Sequence, residues 1–212
     1  MQQSQIQERY ISIGLLNRSQ VLCNTWQRLF NTSFNILQSI SNLISQQTAT
    51  IEHPSVVEQH HVNSSRLVFK QTEATEKSIE QLRQVMHMFE KVISDWKQLE
   101  LEAVRHLHKT WTPDLSKPVA LSTQSLIQVT SVSPIEAHEM IAQLSFMYQK
   151  EYAYKNTLWM TLPGYMSKAF DQIQSFIELW TTEAAIDTTV QSILSERLQL
   201  YKTVKKVLES VD

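Results

Sequence analysis

The chain has 212 residues, 42% of them hydrophobic, and its 19 Lys and Arg against 21 Asp and Glu leave a formal charge of −2. That apolar content excludes wholesale disorder, and the near-neutral balance excludes a nucleic-acid binder that works by neutralising phosphates. Only Gly14 and Gly164 are available as glycines for tight turns, so few strands can be connected and the expected fold class is all-α.

Residues 1–16 read as an N-terminal tail. MQQSQIQERY has no apolar signal region, and no run approaches the roughly 18 apolar residues of a membrane span. Cys23 is the lone cysteine and cannot close an internal disulfide, which fits a reducing compartment. A soluble, intracellular protein is therefore expected, with the sequons at Asn17, Asn31 and Asn63 idle.

From Asn17 to about Gln47 neither proline nor glycine interrupts. Leu22, Trp26, Leu29, Ile36, Ile40 and Leu43 recur at steps of three, four and seven, which predicts one seam of a coiled-coil-like helix. The pattern is lost over 48–65, around Pro54, and this stretch reads as a loop. A second long helix follows to about residue 110. Its predicted seam is Ile79, Leu82, Met86, Phe89, Ile93, Trp96, Ala103 and Leu107, broken at Glu100. Residues 17–110 should thus form an antiparallel helical hairpin, elongated and coiled-coil-like, with Trp26, Leu29, Phe89, Ile93 and Trp96 buried in its seam.

Pro113 and Pro118 end that helix, and 111–133 reads as a Ser- and Thr-rich connector. Ser133-Pro134-Ile135-Glu136 is a capping box with proline at the first helical position. It opens a C-terminal helical region, 134–212. The first helix there should stop at Pro163-Gly164, with a second over about 165–181 and a last one from about Ala184.

Few motifs suggest chemistry. Ser133-Pro134 and Thr112-Pro113 are formal proline-directed phosphorylation sites, but neither has a basic residue three positions after the acceptor. A cap role for Ser133 and a helix stop at Thr112 account for them better. His60-His61 and His106/His108 lack the cysteine cluster or HExxH spacing of a metal site. Gln174 to Trp180 loosely resembles a sliding-clamp peptide, and Arg28-Leu29-Phe30 a cyclin-docking peptide. Both lie within amphipathic helices, where core packing is the simpler reading. No nucleophile–base set, phosphate loop or carboxylate pair can be assembled, so no enzyme activity, metal or cofactor is expected.

The stretch MYQKEYAYKNTLW, 147–159, mixes aromatics with charges. On a helix, Leu144, Tyr148, Tyr152, Lys155 and Trp159 form one stripe, and Glu151 precedes Lys155 by four residues in the favourable order. The expected arrangement has Tyr148, Tyr152 and Trp159 fastening the helix. Lys150, Glu151 and Lys155 would sit at its rim, where a partner could read them.

Met147-Tyr148-x-Lys150-Glu151-x3-Lys155-x-Thr157, with a later helix ending Phe176-Ile177-x-Leu179-Trp180, resembles the C-terminal region of the cyclin-dependent kinase 2-interacting protein family. Trp26-x2-Leu29-x4-Phe34-x5-Ile40-x-Asn42-Leu43 is similar to that family's first helix. Pro163-Gly164 replaces an acidic, glycine-containing turn, as in a distant member.

The resemblance implies a non-catalytic nuclear adaptor in DNA replication, checkpoint control and repair. Its protein partners would be cyclin-dependent and Dbf4-dependent kinases, checkpoint proteins, or the subunits of a AAA+ ATPase assembly in replisome turnover or ribosome maturation. It marks Tyr148, Lys150, Glu151, Lys155 and Trp180 as partner-binding residues. Direct nucleic-acid or membrane binding is not expected. The seams alone suit an alternative, a structural coiled-coil subunit of a tethering or kinetochore-type complex.

Overall fold

A computed structural model of the chain describes residues 2–110, 132–166 and 170–209. These residues form six helices and no strand: α1 (Gln2–Glu52), α2 (Pro54–Glu58), α3 (Ser64–Thr110), α4 (Pro134–Met166), α5 (Phe170–Thr181) and α6 (Thr188–Glu209). The fold is all-α, as the shortage of glycine implies. The expected connector up to residue 131, with Thr112, lies outside the described residues.

The chain divides into two compact units. One comprises Met1–Thr25, Val92–Lys150 and Ala185–Asp212, the other Trp26–Lys91 and Glu151–Ala184.

In the first unit the early turns of α1 lie antiparallel to the later turns of α3. Ser12 meets His106 at 3.2 Å, and Arg18 forms an ion pair with Glu102. In the second unit the same direction holds: Trp26 packs on Phe89 at 4.5 Å between ring centroids, and Gln47 donates to Thr72 at 2.7 Å. As the number rises on α1 it falls on α3, which defines a helical hairpin within each unit.

The buried register of α3 is Gln71, Thr75, Ser78, Leu82, Val85, Phe89, Val92, Trp96, Leu99, Ala103 and His106. This is an unbroken alternation of four and three, the seven-residue repeat that keeps one face of a helix against a neighbour. Leu99 fills the place where Glu100 had suggested a break, and Glu100 itself lies beside the seam, half-buried. Trp26, Leu29, Phe89, Ile93 and Trp96 are all buried.

Several boundaries differ from expectation for local reasons. α1 starts at Gln2, so the expected tail belongs to a helix whose Ser12, Ile13, Leu15 and Leu16 are buried in the first unit. The expected loop at 48–65 holds the last turn of α1 and the short α2, with Pro54 at its start, where a missing amide hydrogen costs nothing. Asn63 Oδ1 accepts the Arg66 amide at 2.8 Å and so caps α3.

At α4 the capping box forms: Ser133 Oγ accepts the Glu136 amide at 3.2 Å, and the Glu136 carboxylate accepts the Ser133 amide at 3.1 Å. Pro163 does not end α4, which continues for three residues to Met166, although the proline has no amide hydrogen to give the turn before it. Because Ser133 caps and Leu29, Ile177 and Trp180 are buried, the short kinase-, cyclin- and clamp-like motifs are absorbed into packing. No described helix is long and apolar enough to cross a membrane.

Candidate functional site

Of the five residues marked by the sequence, Tyr148, Glu151, Lys155 and Trp180 are buried and Lys150 is exposed. Tyr148 and Lys150 belong to the first unit, and Glu151, Lys155 and Trp180 to the second.

Tyr148 is fully buried, stacked on Trp96 with centroids 5.3 Å apart and ring planes 17° from parallel. Its hydroxyl accepts from Gln191 Nε2 at 2.7 Å. Burial raises the pKa of the nearby Cys23 thiol, against a lowering by a hydrogen bond from Tyr148. Lys150 is exposed, its ammonium 4.4 Å from the centroid of the Phe146 ring, which is itself 60% exposed. Tyr152 and Trp159 are only half-buried, so Tyr148 does most of the fastening assigned to the three aromatics.

Glu151 and Lys155 overturn the expectation of a charged rim. Both side chains have 0% exposure, and Lys155 Nζ stands 3.1 Å from Glu151 Oε1. The physical cause is their angular position on α4. They fall on the same inward face as Leu144, Tyr148 and Leu158, where burial of the aromatic stripe takes the charges with it.

Around the pair the second unit assembles a polar cluster. Lys155 Nζ donates to the Trp180 carbonyl at 2.8 Å, and it lies 4.9 Å from the centroids of both Phe30 and Trp180. Trp180 Nε1 donates to Ser33 Oγ at 2.9 Å, and Ser33 Oγ donates in turn to the Phe30 carbonyl at 2.7 Å. Trp26 Nε1 donates to Glu183 Oε1 at 3.0 Å. Glu183 adopts φ 41°, in the left-handed region that non-glycine residues seldom occupy. The sequence reading missed Trp26, Ser33 and Glu183 as members of this group. The bonds from Trp26 to Glu183 and from Trp180 to Ser33 span sequence separations of 157 and 147, which periodicity does not encode.

The electrostatics follow from burial. Desolvation lowers the Lys155 pKa, opposed by the charge and hydrogen bond of Glu151 and by Glu183. Desolvation likewise raises the Glu183 carboxyl above its ordinary 4.5, against the Trp26 hydrogen bond and Lys155, with Glu151 adding to the rise. With its native pKa raised, Glu183 holds its proton more tightly folded than unfolded. Its contribution to stability is complete below 4.5 and is lost as pH rises through the native value. Glu183→Gln keeps an acceptor for Trp26 and should flatten that part of the stability–pH curve; a curve unchanged in slope would show that Glu183 does not titrate there.

Lys150→Glu should shift stability by no more than about 0.5 kcal/mol, as exposed substitutions do. Thermal melts of that variant beside Lys155→Glu should separate the surface charge from the buried one, and equal melting of the two would contradict the burial of Lys155.

Glu151 and Lys155 face one another and Lys155 a helix end, so the arrangement defines a helical scaffold with an internal ionic lock. A family model, CA109-like, described as ribosome biogenesis protein C1orf109-like, matches residues 17–203, and the chain belongs to that family. The resemblance to the cyclin-dependent kinase 2-interacting protein family is thereby corrected. The residues that carried it, among them Trp26, Leu29, Ile40, Tyr148, Glu151, Lys155 and Trp180, are buried. They describe how helices pack, and a packing pattern is shared more widely than a function. A search of curated proteins gives no match to the chain.

Proposed function

We propose that the chain is a non-catalytic factor of ribosome maturation that acts in the nucleus through protein contacts, as an accessory subunit of a AAA+ ATPase assembly. The observation that carries the ribosome-maturation part is the C1orf109-like ribosome biogenesis family match over most of the chain; the ATPase assembly is an expectation that the purification below tests separately. A supporting one is that Lys155 is paired with Glu151 and bonded to the Trp180 carbonyl, and Trp26 to Glu183, within the second unit. The replication, cell-cycle and repair roles rested on the corrected resemblance and have no other footing. The tethering alternative rested on seams free for another chain, and those seams are taken up within each unit.

Depletion in cells should lead to accumulation of ribosomal RNA precursors, and affinity purification should recover pre-ribosomal particles together with a AAA+ ATPase. Normal precursor processing would overturn the ribosome reading. Recovery of pre-ribosomal particles without an ATPase would overturn the accessory-subunit part alone.

A further inference from the structure

α5 has twelve residues, too few for a stable helix by itself, and it depends on what grips it. Its inward face is apolar: Ile173, Phe176, Ile177 and Trp180 are all buried. Its C-terminal end is closed by an unusual means. The last carbonyls of a helix have no partner within it. Here the Glu178 carbonyl accepts from Thr181 and Thr182 hydroxyls, both at 2.9 Å. The next two are reached from α4 by adjacent residues, the Leu179 carbonyl also accepting the Thr182 amide at 3.4 Å. Tyr154 Oη donates to the Leu179 carbonyl at 3.2 Å, and Lys155 Nζ to the Trp180 carbonyl at 2.8 Å. Lys155 also places a positive charge at the negative end of the α5 dipole. Immediately beyond, the left-handed Glu183 is tied to Trp26.

A buried ion pair rarely adds net stability compared with apolar residues of the same size. The Glu151–Lys155 pair therefore needs another explanation, and its donor bond to α5 supplies one. We propose that Tyr154 and Lys155 form a clasp that holds α5 closed, making α5 a strap able to open separately from the α1–α3 hairpin of the second unit. Glu151 holds the ammonium in place, and Ser33 and Trp26 seat the strap's end in one register. Opening would uncover Ile173, Phe176, Ile177 and Trp180 together. This device is independent of which assembly the chain joins.

Hydrogen exchange read by mass spectrometry tests it on the full chain. In Glu151→Leu/Lys155→Met, where the pair is replaced by apolar groups of similar size, amides within 173–184 should exchange roughly ten- to a hundredfold faster, because a buried carbonyl loses its donor. Peptides from 28–50 and 71–91 should keep the parent rates. Tyr154→Phe, which removes only a hydroxyl at a part-exposed position, should raise exchange in the same α5 peptides by a few-fold and nowhere else. Unchanged α5 exchange in both variants would overturn the clasp. Equal acceleration across 28–50, 71–91 and 173–184 would also overturn it, by showing a pair that stabilises the whole unit with no separate strap.

Discussion

Lys155→Met should destabilise the protein by about 3–5 kcal/mol, while the same substitution made together with Glu151→Leu should leave stability unchanged or raise it. The reason lies in the asymmetry of buried charge. With both groups at 0% exposure and 3.1 Å apart, each has lost its hydration and the partner replaces it. Removing the lysine strands a carboxylate that has 0% exposure, which is far costlier than the loss of an attraction. Removing both charges ends the desolvation penalty of both. The Trp180 carbonyl then lacks its donor, and that loss is confined to the end of α5. Urea unfolding of the two variants and the parent, with the slope m checked for constancy, measures the difference. A double variant as unstable as Lys155→Met would mean that the pair is a net stabiliser; a harmless Lys155→Met would mean that water reaches Glu151.

The sequence made the helical class legible, because two glycines cannot serve the turns of a sheet. It also made the α3 seam legible, since Leu82, Met86, Phe89, Ile93 and Trp96 announce it with large apolar side chains. The α1 seam was only half legible. Its buried register is Ser12, Leu16, Ser19, Cys23, Trp26, Ser33, Leu37, Ile40 and Ile44, and the serines conceal it from a search for apolar residues. They can be buried because hydroxyls satisfy themselves locally: Ser19 donates to the Leu15 carbonyl at 3.2 Å, and Ser33 to that of Phe30 at 2.7 Å. Small side chains at these places let a neighbouring helix carry large ones. The apparent seam through Leu22, Ile36 and Leu43 flanks the true one, and those three are half-buried.

The candidate site was legible as a spacing and illegible as an environment. Glu151 and Lys155 at four residues apart predict an ion pair on any helix. Whether that pair faces water depends on what covers α4. In this chain the cover is α5 with Trp180, together with Phe30 of α1. A charged residue between tyrosines therefore had two readings from sequence, and tertiary contacts chose the buried one.

The same logic makes Trp96 a sharp test of the first unit. Trp96 has 0% exposure and stacks on Tyr148, so Trp96→Ala should cost about 3–5 kcal/mol through lost burial and the cavity left behind. Trp96→Phe should behave quite differently. The indole Nε1 has no hydrogen-bond partner among the described residues, and a buried N–H of that kind carries a desolvation cost of about 1–3 kcal/mol. Phenylalanine removes that cost and keeps an aromatic face for Tyr148, while giving up part of the packed volume. The two effects oppose one another at similar size, so Trp96→Phe should lie within about 1 kcal/mol of the parent. Denaturant unfolding of both variants separates the terms. If Trp96→Phe costs nearly as much as Trp96→Ala, the indole N–H is bonded in solution. If Trp96→Ala costs less than about 1 kcal/mol, the ring is at the surface and the α3 seam does not run as described.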